Sequence, residues 1–255
     1  AKILGFSGCE SLPNTEMDIN NLAAAIEADE QSVKKSFYAG WLAYTIYNRV
    51  IAKLKSEPVE DSRIDFEDGY GNRPDEEEDA DAVRSAGEVA KGMADGSLPP
   101  FLGIRIKTFT EECRERSVRT LDLFLTELAK QTGGKIVENF VITLPKVTHP
   151  EQVAALASLL DVIEEKCGYE KNAIKIEVMI ETTQSIINAK GDTPILGLIE
   201  AGRGRCRSAI FGTYDYTASC NITAAFQTHT HSACDFARHT MQVSLSGTGI
   251  TLCDG

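Results

Sequence analysis

Ile174-Lys175-Ile176-Glu177-Val178-Met179-Ile180-Glu181-Thr182-Thr183 is a short β-rich run that ends in a carboxylate. Ser208-Ala209-Ile210-Phe211-Gly212-Thr213-Tyr214-Asp215 closes in the same way, one βα unit and an extra helix further on. A run of this kind places its carboxylate at the C-terminal mouth of a strand, where parallel α/β proteins keep their chemistry. Arg63-Ile64-Asp65-Phe66-Glu67-Asp68-Gly69-Tyr70-Gly71 is a third acidic ending, and Gly103-Ile104-Arg105-Ile106-Lys107-Thr108 is a basic one. Carboxylates and an arginine at several strand ends point to a hard divalent cation and an anionic substrate.

Outward from these runs, strands and helical patterns alternate. Strands are expected at 62–67, 101–107, 136–144, 173–181 and 206–212. Helices are expected over 79–95, 110–131, 150–166, 183–189, 194–201, 217–225 and 231–238. Two further strand-like runs, Gln242-Val243-Ser244-Leu245 and Gly249-Ile250-Thr251-Leu252, close the chain. Residues 16–55 are helical in pattern, with Leu22, Ile26, Trp41, Leu42, Ile46, Val50, Ile51 and Leu54 at helix-like spacings. The acidic loop Asn72-Arg73-Pro74-Asp75-Glu76-Glu77-Glu78-Asp79-Ala80-Asp81, feeding the helix expected over 79–95, reads as a solvated helix start, favoured by the helix dipole, rather than a metal site.

βαβ units imply a parallel sheet. With about six strands visible, an eight-stranded (β/α)8 barrel, its first strand obscured and its last missing, fits better than an open doubly wound sheet. Neither GxGxxG nor GxxxxGK[ST] occurs, so dinucleotide and P-loop chemistry have no local support.

The 255 residues, 42% hydrophobic and 25% charged, suffice for a single barrel domain over 1–255, with 1–55 as a helical N-terminal region and 56–255 supplying the strands. A net charge of −12 argues against nucleic-acid and anionic-membrane partners. No apolar stretch approaches the roughly 18 residues that span a bilayer, and no signal segment opens the chain. Seven scattered cysteines without a CxxC pair read as reduced thiols, so the expected location is cytoplasmic. Ala1 opens the sequence without a Met, and Leu252-Cys253-Asp254-Gly255 ends it directly after a strand-like run, as expected of a truncated sequence.

Six short motifs, in order from about residue 60, resemble the citrate lyase β-subunit and HpcH/HpaI aldolase family. Asp65-Phe66-Glu67-Asp68-Gly69 is similar to its D-L-E-D-[AG], Gly103-Ile104-Arg105-Ile106 to its V-R-I-N, and Leu144-Pro145-Lys146-Val147 to its L-P-K-V. Met179-Ile180-Glu181-Thr182 resembles its L-I-E-T, Phe211-Gly212-Thr213-Tyr214-Asp215-Tyr216 its F-G-x-E-D-L, and Leu252-Cys253-Asp254-Gly255 its A-I-D-G. The fuller wording around Glu57–Gly71 looks closest to a bacterial branch whose members carry labels such as aldolase or phosphoenolpyruvate kinase. Residues 1–55 show no match, and the family's opening strand with its additional Arg is not recognisable there.

The resemblance implies a TIM barrel of the phosphoenolpyruvate/pyruvate type and a Mg²⁺ ion, with Mn²⁺ as the alternative, held by Glu181 and Asp215. Mg²⁺ uses oxygen ligands, keeps several waters and takes one or two protein carboxylates. The competing reading makes both residues helix caps. Arg105 is expected to grip a substrate carboxylate or enolate oxygen through its planar fork, or to neutralise Glu67 or Asp68. Glu67 and Asp68 are expected to bond waters on the ion and to orient Arg105; a general-base role is the alternative. Lys146 meets an anionic substrate or only solvent. Backbone donors at Gly212-Thr213 and Gln184-Ser185 suit a carboxylate or phosphate. His229 and His231 lack a third ligand at a zinc-type spacing.

These expectations describe a Mg²⁺-dependent carbon–carbon lyase or aldolase acting on a small anionic substrate: a 2-oxo acid, a hydroxy acid or an acyl-CoA thioester. The alternatives are phosphoryl or carboxyl chemistry on phosphoenolpyruvate, and a barrel without catalysis that serves as a binding protein. Related barrels assemble as homo-oligomers, which is expected here on that basis alone.

Overall fold

The structure, a computed structural model, describes residues 11–255. It divides into two compact units, the second starting at Asp61. The first contains helices α1 (Glu16–Ser36) and α2 (Tyr38–Ser56). The Thr15 hydroxyl caps α1 by accepting from the Asp18 N–H at 3.2 Å, which satisfies one of the orphan donors of the first turn. Residues 1–10, part of the stretch expected to obscure a first barrel strand, lie outside the described residues.

The second unit follows the order β1 (Asp61–Asp65), α3 (Asp75–Asp95), β2 (Phe101–Arg105), α4 (Arg114–Thr132), β3 (Phe140–Leu144), α5 (Pro150–Cys167) and β4 (Lys175–Ile180). It continues with α6 (Thr183–Ile186), α7 (Ile195–Ala201), β5 (Cys206–Phe211), α8 (Thr213–Ser219), α9 (Ser232–Leu245) and β6 (Thr251–Asp254). All six strands are parallel and lie side by side in chain order. Every strand therefore points its C-terminal end to the same rim.

Strand alternation explains what the two faces do. Leu102, Ile104, Ile142, Leu144, Ile176, Val178 and Ile180 point one way and join Val89, Phe124, Leu125, Leu128, Leu156 and Leu160 of the helices in one core. Each such side chain contributes about 1.5–3 kcal/mol on full burial. The alternate positions, Arg63, Asp65, Arg105, Thr143, Glu177, Met179 and Glu181, line a cavity instead. On this wall Glu177, 1% exposed, accepts two bonds from the Arg63 guanidinium, at 3.0 Å each, and one each from Thr143 and Ser208 at 2.8 and 2.6 Å. A buried charge persists only when paired in this way.

The closed eight-stranded barrel expected from the sequence is not formed. Among the described residues the sheet is an open half-barrel of six strands, with β1 and β6 as its edges. The run 242–245, read as a strand, belongs to α9. Cys234, Ala237, Met241 and Leu245 recur on that helix's buried face, while Val243 is 80% exposed. No helix among the described residues is long and apolar enough to cross a membrane.

Candidate functional site

The strand registers place the site. Asp65 pairs with Arg105, Arg105 with Thr143, and Ile180 with Phe211. The residues just past these ends, Glu67, Asp68, Lys146, Glu181 and Asp215, consequently gather on one rim. A cavity of about 520 Å³ opens there, lined among others by Asp65, Asp68, Arg105, Glu181, Gly212, Asp215 and His229. Its size is that of a small-molecule site.

Lys146 is the hub. Its ammonium lies 2.5 Å from Glu67 Oε1, 2.7 Å from Asp68 Oδ2 and 3.0 Å from Asp215 Oδ2, and its main-chain N–H donates to Glu181 Oε1 at 2.7 Å. The backbone at Lys146 is left-handed, with φ of 51°, a conformation that non-glycine residues adopt only where surrounding contacts hold them. Burial alone would lower the Lys146 pKa, but the three carboxylates together hold it well above the usual lysine value.

Glu181 is 1% exposed. Burial, with the Asp215 carboxylate beside it, raises its pKa to about 7 against the opposing pull of Lys146. Gly212 makes room for it: a Cβ at that position would lie 2.5 Å from Glu181 Oε2 and 2.6 Å from its Cβ. Burial likewise raises the Glu67 carboxyl, whereas at Asp68 the Lys146 ammonium outweighs burial and lowers it. Neither Glu181 nor Asp215 caps a helix. Thr182 caps α6, and Gly212 is the N-cap of α8, with Asp215 inside its first turn.

Arg105 is oriented by a residue to which the sequence reading assigned no role. Asp65 accepts from Arg105 Nε at 2.7 Å and from NH2 at 2.5 Å, while Glu67 lies 3.5 Å from NH1. Asp65 is itself fixed by the N–H groups of Glu67 and Gly69 at 3.0 and 2.8 Å. The pairing with Asp65 raises the guanidinium pKa further, and the group is cationic at any working pH. With one edge held by Asp65, NH1 remains directed toward Met179 and the cavity.

Two of the four expected backbone anion donors are otherwise engaged. Gly212 N–H donates to Ile180 O at 3.1 Å, and Ser185 N–H is taken by the Thr182 cap. The two histidines part company: His231 Nδ1 accepts from the Ala233 N–H at the start of α9, and His229 Nδ1 shares a 3.1 Å hydrogen bond with Thr213 Oγ1 at the cavity.

A divalent cation suits this donor set in kind. The carboxylate oxygens are hard ligands, and the Lys146 ammonium already stands among them as a cation. No three His, Cys, Asp or Glu side chains among the described residues are arranged to ligate one ion together. Two carboxylates, Glu181 and Asp215, with water in the remaining positions, is the mode Mg²⁺ commonly uses.

The chain belongs to the family described as Domain of unknown function (DUF6986), whose model matches residues 1–255. None of the curated proteins matches it. Among solved structures it is similar to the Haloferax volcanii malate synthase magnesium/glyoxylate complex, with a TM-score of 0.57 and 16% identity over 76% of this chain and 53% of that one. The lead(II) complex of the same enzyme matches with a TM-score of 0.52 and 14% identity over 68% of this chain and 48% of that one. The chain thus spans about half the length of the structures it matches, and it shares their fold over that part.

Proposed function

We propose that this member of the family binds Mg²⁺ or Mn²⁺ through Glu181 and Asp215 and makes or breaks a carbon–carbon bond beside the carbonyl of a small 2-oxo or hydroxy acid, free or as an acyl-CoA thioester. The observation that carries this reading is the convergence of Glu67, Asp68, Glu181 and Asp215 on the Lys146 ammonium, at the rim of a cavity that also presents Arg105. When bound, the ion supplies Lewis acidity toward the substrate's carbonyl oxygen.

The chain's own residues supply the rest. Arg105 holds the substrate carboxylate with NH1, and Asp65 keeps the guanidinium plane from rotating. Glu67 and Asp68 fix the Lys146 side chain. Gly212 lets the Glu181 carboxylate stand at the mouth of β4 without a clash. Glyoxylate, the acid bound with magnesium in the similar malate synthase structure, is a 2-oxo acid of the proposed class.

The test is calorimetric titration of Mg²⁺ into the metal-free protein, followed by pyruvate or oxaloacetate, on wild type and on the Glu181→Gln/Asp215→Asn double variant. The reading requires oxo-acid binding that depends on Mg²⁺ and disappears in the double variant. Absence of Mg²⁺ binding to the intact protein overturns it.

A further inference from the structure

An ammonium has three N–H donors. Lys146 donates two of them, to Glu67 at 2.5 Å and Asp68 at 2.7 Å, and its ammonium stands 3.0 Å from Asp215 as an ion pair. Asp215 is also one of the two carboxylates assigned to the divalent cation. Its carboxylate cannot hold a divalent cation and an ammonium together without strong like-charge repulsion between them.

The main chain of Lys146 is pinned, its N–H on Glu181 and its backbone held in the left-handed region. Any accommodation therefore falls to the flexible side chain. Arg105, also at this rim, is held on Asp65 by two hydrogen bonds.

We propose that Lys146 is the resident cation of this site: a divalent ion displaces its ammonium from the ion pair with Asp215, and the ammonium, freed of that partner, becomes available to the substrate's anionic group. Lys146 thereby imposes an order, cation before oxo acid. This rests on the proposed metal-binding role of Glu181 and Asp215 and adds the residue that competes for the site.

Mg²⁺ is titrated by calorimetry into the full chain, stripped of metal, as wild type, Lys146→Met and Lys146→Gln, with folding checked by circular dichroism. In parallel, Lys146 of the wild type is reductively methylated with and without saturating Mg²⁺, and its peptide is followed by mass spectrometry. The expected results are Mg²⁺ binding about tenfold tighter in both variants and methylation of Lys146 several-fold faster with Mg²⁺ than without. Equal or weaker Mg²⁺ affinity in the variants, or an unchanged methylation rate in Mg²⁺-bound wild type, overturns the role of Lys146 and leaves the metal site standing. No Mg²⁺ binding to any of the three proteins overturns both. If neither variant folds, the wild-type methylation comparison decides.

Discussion

Replacing Glu181 by Gln should remove a pH dependence of stability that the wild type carries. The Glu181 carboxyl is raised from 4.5 to about 7 in the folded chain, by burial first and by Asp215 second. A group whose folded pKa exceeds its unfolded value stabilises the fold while it is protonated. That contribution is fully present below the unfolded value and is lost as pH rises through the folded one. Over this range, at about 1.4 kcal/mol per pH unit, the loss amounts to about 3 kcal/mol. Urea unfolding followed by far-UV circular dichroism, in chelator at pH 5, 6, 7 and 8, measures it. The variant should match the wild type near pH 5 and exceed it by about 3 kcal/mol at pH 8. Saturating Mg²⁺ should recover most of the difference for the wild type at pH 8, because the ion replaces the proton between Glu181 and Asp215. Parallel curves for the two proteins across the whole range would refute the argument.

Arg63→Met leaves the buried Glu177 without its guanidinium and should cost about 3–5 kcal/mol by the same unfolding assay, while Arg63→Met/Glu177→Met should recover more than half of that. Gly212→Ala introduces a Cβ 2.5 Å from Glu181 Oε2; it should weaken Mg²⁺ binding about tenfold in calorimetry, and unchanged affinity would show that the carboxylate is not where the ion binds. Asp65→Asn removes the charge that locks Arg105. It should weaken Mg²⁺-dependent oxo-acid binding by about tenfold with little change in Mg²⁺ affinity, and equal losses of both would contradict the separation of the two roles.

The acidic strand ends were legible in the sequence because a β-rich run followed by a carboxylate marks a sheet's rim whatever the strand count. Glu67, Asp68, Arg105, Lys146, Glu181 and Asp215 do converge there. Register was not legible. Asp65 sits inside its strand-end motif like any strand residue, and only the pairing of β1 with β2 puts it opposite Arg105. His229 arrives from the loop before α9, a fold-back that no local spacing encodes. The contact of Gly212 with Glu181 likewise joins two strands and has no trace within either motif.

Barrel closure failed for a related reason. Each βα unit predicts its own strand, but closure depends on what the two edges meet, and among the described residues β1 and β6 meet no further strand. The run 242–245 misled because β-branched and apolar residues lie together there. The i, i+3, i+7 and i+11 recurrence of Cys234, Ala237, Met241 and Leu245 across the whole segment carries the helical period.

Where the oxo acid is the partner that forms the enolate, the proposed chemistry exchanges protons on the carbon next to its carbonyl with solvent. Exchange of pyruvate's methyl protons with D₂O, followed by proton NMR with the full chain, reports that step without knowledge of the physiological partner substrate. Exchange that requires Mg²⁺ or Mn²⁺ and falls to background in Arg105→Met and in Glu181→Gln/Asp215→Asn is the predicted result. Exchange at the same rate in the presence of chelator, or undiminished in the double variant, would contradict the account.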